Sequence, residues 1–413
     1  MREMKDSGIE WIGEIPKDWV CCKQKYVIQL INGRAYSDSE FEENGKYPIL
    51  RVGNLFSNPV WYSSSMELES DKYCEKGDLL YSWSMSYAPV IWEGNKVIYH
   101  YHIWKTKLNK SLDKKFAYYY LLSLTDALKA EIHETTMGFI TMGIMNNSYI
   151  ALPTFAEQQR IASFLDTKCS EIDALAADIQ AQIDTLEQYK RSVITETVTK
   201  GLDKNMEMKD SGLQWIGEIP AHWNYIRGKY ILKYIQKPVR EDDGVITCFR
   251  DGEVTLRSNR REDGFTVSDK EIGYQGIDVG DLVVHGMDGF AGAIGISDSR
   301  GKASPVLNVL DTNQNKKYVM YYLRSMASGN VFTALSTGIR VRSCDLRWNK
   351  LAELMYPIPP ISEQVGIVKY IDSMLDKANV LIDEKKDQLT ILDAYKKSLI
   401  YEYVTGKKEV PAV

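Results

Sequence analysis

The chain of 413 residues lacks a long hydrophobic run, and it is poor in cysteine and histidine. No apolar stretch approaches the roughly 18 residues that a membrane span requires, and the opening residues Met1–Lys5 do not resemble a signal peptide. The six cysteines form no C-x-x-C pair with the spacing of a zinc or redox site. We therefore expect a cytoplasmic protein whose cysteines are reduced and structural.

Signatures of catalysis and of cofactor binding are also missing. Asn58-Pro59 is not followed by the second proline and the aromatic residue of a site that methylates an exocyclic amine. The sequence has no G-x-x-x-x-G-K-[ST] phosphate loop, no G-x-G dinucleotide loop and no carboxylate cluster typical of a nuclease. His100 and His102 are close enough in sequence to share a metal, but no further ligands stand nearby, so a structural role is expected. The sequence predicts no catalytic residue, no metal and no cofactor in this chain.

The most informative feature that is present is an internal repeat with a period of about half the chain. Residues 3–19 read EMKDSGIEWIGEIPKDW, and residues 207–223 read EMKDSGLQWIGEIPAHW. Only four of these 17 aligned positions differ, so chance does not explain the match. We name these two segments the openers. Because each copy of a repeat predicts the fold of the other, we expect two structurally related halves.

The repeat returns at the end of each half. Leu186–Thr199 matches Leu392–Thr405 at an offset of 206. Between the openers and these tails, the halves share little beyond Gly77-Asp78-Leu79 and its counterpart Gly280-Asp281-Leu282. The sequence therefore predicts duplicated scaffolding around two unlike segments, which we name the variable bodies.

The matched tails predict two long helices, over residues 157–200 and 363–405. Each begins with Glu-Gln, a proline precedes each segment and Gly201 or Gly406 follows it, as is common at helix ends. About 44 residues at a rise of 1.5 Å make a rod of roughly 65 Å. Apolar residues recur at the spacings of a coiled-coil seam: Ile161, Leu165, Ile172, Leu175, Ile179, Ile183, Leu186 and Val193, then Ile367, Ile371, Leu375, Ala378, Ile382, Leu389, Leu392 and Leu399.

Two such stripes on one chain can bury each other. The simplest closure is an antiparallel pair with pseudo-two-fold symmetry, in which the variable bodies lie at opposite ends. The alternative is that each helix packs only on its own domain.

The variable bodies predict mixtures of strands and helices. Strands are expected at residues 47–52, 78–83, 96–99, 245–249, 281–284 and 292–296, and helices at residues 115–130 and 317–327. The expected fold class is α+β: two α/β domains joined by two long antiparallel coiled-coil helices. The expected boundaries are 1–151 and 202–356 for the two domains, 152–201 and 357–406 for the helices, and 407–413 for a tail.

Both bodies combine basic, aromatic and polar residues that suit a base-reading surface. The planar fork of arginine contacts guanine O6 and N7, and it also pairs with phosphate. The net charge is −5, and residues 240–302 hold eight basic against thirteen acidic side chains, so a solvated face remains the alternative. The candidate DNA-binding residues are Arg34, Arg51, Trp83, Tyr87, His102 and Lys105 in the first body, and Arg250, Arg257, Arg260, Arg261, His285, Asp288, Arg340 and Arg342 in the second.

Together, the openers, the Gly-Asp-Leu elements, the Pro…Glu-Gln helix starts and the helix ends YKRSVITETVT and YKKSLIYEYVT resemble the specificity subunit of Type I restriction-modification systems. The resemblance spans essentially the whole chain. The second body, with CFRDGEVTLRSNRREDGFTVS and GDLVVHGMDGFAGAIGISDSRGKASPV, is similar to a recurring class of target recognition domain. Ser336–Arg342 resembles the family's element before the conserved helix, whereas Thr136–Thr141 in the first half carries no arginine.

The resemblance implies a non-catalytic subunit of a bacterial or archaeal complex on double-stranded DNA. Each body would read one half of a split target, while the paired helices would set the spacer and dock two methyltransferase subunits. Restriction-translocase subunits would join through the complex. The resemblance also implies that S-adenosylmethionine, ATP and Mg²⁺ are bound by those partners. The alternative is a coiled-coil interaction scaffold without sequence-specific DNA binding.

Overall fold

The computed structural model describes residues 2–84, 86–134, 140–260, 272–334 and 346–411. The chain divides into two compact units, the first formed by residues 1–179 with 387–413 and the second by residues 180–386. Both long helices are therefore shared between the units. The α+β fold class is confirmed, and the helices and strands predicted from the sequence are all present.

The first unit is built from short strands and one long body helix. Its strands are β1 (Met4–Asp6), β2 (Glu14–Pro16), β3 (Val20–Lys23), β4 (Ile28–Asn32), β5 (Tyr47–Leu50), β6 (Tyr62–Ser64), β7 (Tyr73–Cys74), β8 (Leu79–Ser82), β9 (Ala88–Ile91), β10 (Val97–Tyr99), β11 (Ile103–Leu108) and β12 (Tyr149–Leu152). Its helices are α1 (Val52–Phe56), α2 (Lys114–Glu134) and α3 (Met142–Asn147), followed by the start of α4 (Phe155–Lys200).

The second unit follows the same plan. Its strands are β13 (Met208–Asp210), β14 (Glu218–Pro220), β15 (Asn224–Arg227), β16 (Leu232–Ile235), β17 (Ile246–Cys248), β18 (Val254–Leu256), β19 (Gln275–Ile277), β20 (Leu282–His285), β21 (Ile294–Ile296), β22 (Gly301–Ala303), β23 (Leu307–Thr312) and β24 (Met355–Ile358). Its helices are α5 (Lys316–Ser328), α6 (Val331–Ala334), α7 (Trp348–Glu353) and the start of α8 (Ile361–Val404).

The central sheets of the two bodies have the same topology. The antiparallel order β4-β11-β8-β9 in the first unit corresponds to β16-β23-β20-β21 in the second. The pair β3-β12 likewise corresponds to β15-β24. The bodies differ in what they add: the first has the mixed sheet β6-β5-β10-β7, and the second has the pairs β17-β18 and β19-β22. The shared sheet is thus scaffold, and the added strands are the variable part.

The repeated Gly-Asp-Leu tripeptide forms the turn that enters the third strand of this sheet. Gly77 and Gly280 have φ of +89° and +85°, a conformation that favours glycine. The carboxylate of Asp78 accepts a hydrogen bond from the backbone of Glu75 at 2.8 Å, and Asp281 accepts one from Asp278 at 2.9 Å. The tripeptide is therefore a structural turn.

The structure corrects the expectation that the bodies share little else. Helices α2 and α5 both begin KK-x-x-x-YYL, at residues 114–121 and 316–323. In α5, Lys317 forms an ion pair with Asp372 at 2.8 Å, and the Tyr321 hydroxyl donates to the same carboxylate at 2.5 Å. In α2, Lys115 and Tyr119 contact Asp166 in the same way. The shared pattern covers only eight residues in each body, and the sequences on either side of it differ.

The Glu-Gln element joins each long helix to its body. Gln158 is 1 % exposed and its side-chain oxygen accepts the Asp113 amide at 2.8 Å. Gln364 is fully buried and accepts the Asn315 amide at 2.9 Å. Because Asp113 and Asn315 stand at the starts of α2 and α5, each glutamine ties two helix starts together.

The openers pack against the same helix starts. The indole rings of Trp19 and Trp223 are buried, and the Trp223 indole N–H donates to the Glu363 carboxylate at 3.0 Å. In the first unit, Arg2 directly precedes the opener and forms ion pairs with Glu157 at 2.5 Å and with Asp18 of the opener at 2.5 Å. Opener and helix are therefore held together in both halves, although by different partners.

The long helices pair antiparallel within each unit. In the first unit, Phe164 contacts Tyr403 with ring centroids 4.5 Å apart, and Asp173 pairs with Lys396 at 2.6 Å, so rising numbers on α4 meet falling numbers on α8. In the second unit, the Lys385 ammonium donates to the Gln182 side chain. No helix in the described part of the chain is long and apolar enough to cross a membrane.

The predicted seam is buried to different degrees along the helices. Ten of its residues are buried: Ile161, Leu165, Ile179, Ile183, Val193, Ile367, Ile371, Ala378, Ile382 and Leu399. The others are partly exposed: Ile172, Leu186, Leu375, Leu389 and Leu392. Leu175 is 49 % exposed, so its assignment to the seam was wrong. A two-helix pair buries only the innermost positions, and the predicted stripe was wider than the contact.

Candidate nucleic-acid interface

One cleft of the second unit gathers the candidate residues of the second body. Its volume is about 650 Å³. Five candidates separated by up to 38 positions line it together: Arg250, Arg257, Arg260, His285 and Asp288. The predicted residues Arg261, Arg340 and Arg342 lie outside the described residues. The cleft therefore brings together side chains that the sequence presents as two separate clusters.

Two short elements place these side chains. The turn between β17 and β18 is closed by the Phe249 amide, which donates to the Glu253 carbonyl at 2.8 Å, and Gly252 in this turn has φ of +94°. This turn carries Arg250. Because β20 ends at His285, the loop that follows it carries Asp288 to the same side, where Arg250 and Asp288 form an ion pair at 3.0 Å.

Two of the arginines in the cleft, Arg250 and Arg260, are paired with carboxylates. Arg260 forms ion pairs with Asp251 at 2.6 Å and Glu253 at 3.0 Å, and its guanidinium lies 4.2 Å from the centroid of the Phe249 ring. The Arg257 guanidinium donates to the Thr247 hydroxyl at 3.3 Å. These contacts hold the planar forks in defined positions, which reduces the conformational entropy lost when they bind a base or a phosphate.

His285 is held as a neutral imidazole. Its Nδ1 accepts the backbone amides of Met287 at 3.2 Å and Asp288 at 2.9 Å, and burial lowers the pKa of the ring. Since Nδ1 is an acceptor, the proton of the neutral ring resides on Nε2. The ring therefore offers an N–H donor, while its Nδ1 fixes the loop that carries Asp288.

Sequence reasoning missed other residues of this cleft. Thr247, Phe249 and Ser304 also line it. The first two lie on the strand predicted at residues 245–249, and Ser304 belongs to the GKASPV segment already noted. The available signal was the position of Thr247 and Phe249 next to Arg250. The alternation of residues in a strand does not show which face of that strand meets a loop more than 50 residues away, where Ser304 lies.

In the first unit, two neighbouring pockets share Arg51 and His100. One, of about 290 Å³, is lined by Tyr36, Asp38, Phe41, Ile49, Arg51, Tyr62 and His100. The other, of about 340 Å³, is lined by Arg51, Val52, Gly53, Asn54, Asn58, Val60, His100 and His102. His100 was not among the predicted DNA contacts, and of the six that were, the pockets include only Arg51 and His102.

These pockets combine aromatic faces with one cation. Phe41 stacks on Tyr62 with ring centroids 4.5 Å apart, and the Arg51 guanidinium lies 5.3 Å from the Tyr62 centroid. Burial, followed by the charges of His102 and Arg51, lowers the pKa of His100 to about 4. Burial and Arg51 also lower the pKa of His102. Both imidazoles therefore stay neutral and polar near an exposed arginine.

The histidine pair does not lie on a strand. Tyr101 and His102 form the turn between β10 and β11. The ring centroids of His100 and His102 are 4.7 Å apart. Within the described ranges, no group of three His, Cys, Asp or Glu side chains is arranged to hold a metal.

The remaining first-body candidates lie outside the two pockets. Arg34 pairs with Glu40 at 2.5 Å. Trp83 stacks on the buried Trp104 at 5.6 Å. Tyr87 packs partly into the core of the first unit. Lys105 is 22 % exposed and forms an ion pair with Asp78 at 2.7 Å, so its positive charge is balanced by a carboxylate of the same body. These four stay predictions, and the geometry favours Arg51 and His102 over them.

Comparison with known proteins agrees with this architecture. Residues 16–185 match the family described as Type I restriction modification DNA specificity domain. The chain is 22 % identical to the Type I restriction enzyme EcoBI specificity subunit of Escherichia coli, over 98 % of this chain and 90 % of that protein. It is 28 % identical to the MjaVIII specificity subunit of Methanocaldococcus jannaschii, over 53 % of this chain and 50 % of that protein.

A solved structure shares the fold. It is a chain from a study of complex assembly and conformational transition of the type I R-M system, with a TM-score of 0.64 and 13 % identity over 95 % of this chain and 99 % of that chain. Fold and comparisons define a class of duplicated α+β proteins in which two recognition bodies are carried on paired long helices. The chain is similar to Type I restriction-modification specificity subunits, through the specificity-domain match over residues 16–185 and through relatives that align over nearly its whole length.

Proposed function

We propose that the two variable bodies read the two halves of a bipartite double-stranded DNA target. The observation that carries this proposal is the second-unit cleft, where arginines, a neutral histidine and an aspartate from separate segments converge on one exposed surface. The Arg51 pockets form the corresponding surface of the first unit. Phosphate contacts set the affinity, and the cleft side chains select bases.

The long helices set the number of unread base pairs between the half-sites. Each helix is continuous, over 46 residues in α4 and 44 in α8, and each belongs in part to both compact units. Each residue added to or removed from a helix therefore lengthens or shortens that helix by about 1.5 Å.

The chemistry of restriction and modification belongs to partner subunits. Two methyltransferase subunits dock on the long helices, and restriction-translocase subunits join through the complex. S-adenosylmethionine, ATP and Mg²⁺ are bound by those partners. The assembly works on DNA in the cytoplasm of a bacterium or archaeon. Support comes from the Type I enzymes and the type I R-M system to which the relatives belong.

Competition binding tests the DNA-reading role. Duplexes selected by the chain from a random library should share a split sequence, and affinity for them should fall linearly with the logarithm of salt concentration. Arg257→Ala should weaken binding to the selected duplex. Lys233→Ala removes the same charge from an exposed position outside the cleft and serves as the matched control.

The alternative function, a coiled-coil scaffold without sequence-specific DNA binding, is not favoured. A scaffold would need the paired helices but not the clefts with their exposed arginines. Library selection that recovers no shared sequence, while the chain still binds methyltransferase subunits, would support the scaffold and overturn the proposal.

A further inference from the structure

The Arg250–Asp288 pair in the second-unit cleft combines an anchored backbone at the acid with accessible side chains. The backbone of its acid is anchored: the Asp288 amide donates to His285 Nδ1 at 2.9 Å, and the Asp288 carbonyl accepts the Ala291 amide at 2.9 Å. Its side chains also remain accessible, with exposed fractions of 61 % for Arg250 and 37 % for Asp288. The pair is therefore held in place and presented to the cleft.

The hydrogen-bonding capacity of the pair is only partly used. One terminal nitrogen of Arg250 donates to one oxygen of Asp288 at 3.0 Å. A guanidinium carries five N–H donors, and a carboxylate has about four acceptor positions on its two oxygens. A donor fork and an acceptor thus face the cleft side by side.

A carboxylate on a DNA-facing surface repels the phosphate backbone, so a specific contact with a base has to account for its presence there. In the major groove, Asp and Glu typically accept a hydrogen bond from the cytosine N4 amino group, while arginine typically donates to guanine O6 and N7. In a G·C pair these groups are neighbours in the major groove. The donor and acceptor of the Arg250–Asp288 pair match them.

We infer that Arg250 and Asp288 together read one G·C base pair in the half-site recognised by the second unit. Arg250 contacts the guanine, and Asp288 accepts the cytosine amino group and repels the oxygens of the other bases at that edge. The inference rests on the proposed DNA-reading function. It assigns a base pair to two named side chains, which the family relationship does not.

The contrast with Arg260 supports this choice of pair. Arg260 is bound by two carboxylates, Asp251 and Glu253, and covers the Phe249 ring. All three partners lie in the β17–β18 hairpin that directly precedes Arg260 in the chain, so these contacts stabilise that hairpin. Asp288 comes from a different loop, and its pairing with Arg250 joins two elements at the cleft surface.

The test compares duplexes that differ at single base pairs of the selected half-site. For the wild-type chain, replacing one G·C pair by A·T should weaken binding roughly tenfold or more. Asp288→Ala should reduce that discrimination to less than about threefold and leave the other positions unchanged. Asp288→Asn should shift the preference at that position towards A·T, since asparagine pairs with adenine N6 and N7.

The charge-matched control is Asp298→Asn, an exposed aspartate outside the cleft, which should leave discrimination unchanged. Unchanged discrimination at the other positions of the same half-site reports that the second unit of each variant is folded. The inference is overturned if Asp288→Ala keeps full discrimination at every position, or if it weakens all duplexes equally. A wild-type chain that prefers no sequence would overturn the proposed function instead, so the two failures are distinguishable.

Discussion

Gln364 offers a direct test of how the body is fixed to the long helix. Its side-chain oxygen accepts the Asn315 amide at 2.9 Å, and its amide nitrogen donates to the Gln314 side chain at 2.8 Å and the Pro359 carbonyl at 2.9 Å. Gln364→Leu keeps a similar volume but removes all three hydrogen bonds. A buried hydrogen bond contributes about 1 kcal/mol, so we expect the free energy of unfolding to fall by about 2–4 kcal/mol.

Urea unfolding followed by circular dichroism measures this loss, and amide hydrogen exchange at Asn315 locates it. The exchange rate of that amide should rise because its acceptor is gone. Gln180→Leu is the matched control, since Gln180 is exposed and its side-chain amide donates along its own helix to Asp184 at 3.0 Å. The control should change the free energy of unfolding by less than about 0.5 kcal/mol. Equal unfolding midpoints for Gln364→Leu and the wild type would refute the assigned role.

Three further predictions concern the cleft, the helices and the first-unit pockets. Arg257→Ala should cost about 1–3 kcal/mol of binding free energy at one base pair, measured by competition with single-substituted duplexes; equal weakening of all sequences would identify a phosphate contact instead. Removing seven residues from each helix, 180–186 and 380–386, preserves the seam and shortens each by about 10 Å. Mapping of modified adenines should then show a spacer shorter by about three base pairs, and an unchanged spacer would contradict the proposal. Because the folded-state pKa of His100 is about 4 and lies below the unfolded value, the unfolded chain takes up this proton first as the pH falls. Stability should therefore decline from about pH 6.5 to pH 4, less so in His100→Asn; identical pH profiles in urea unfolding would rule this out.

Much of the scaffold could be predicted from the sequence because its signals are local. The spacing of apolar residues along residues 157–200 and the glycine at 201 fix a helix and its end without reference to the rest of the chain. The Gly-Asp-Leu turns are also local, since the φ of Gly77 is a property of one residue. The repeated tyrosines of α2 and α5 were equally readable but were missed, because the surrounding bodies differ.

The sites depend on contacts that no local pattern encodes. Arg250 and Asp288 are 38 positions apart, and only the pairing of β20 with β21 and β23 turns the loop after His285 towards the β17–β18 hairpin. Lys105 was predicted as a DNA contact, yet the tertiary structure directs its ammonium to Asp78. The sequence by itself determined the duplication, the helices and their ends, through short-range periodicity and backbone preference. Only the tertiary structure decided which charged side chains meet each other and which face a cleft, because that depends on long-range strand pairing.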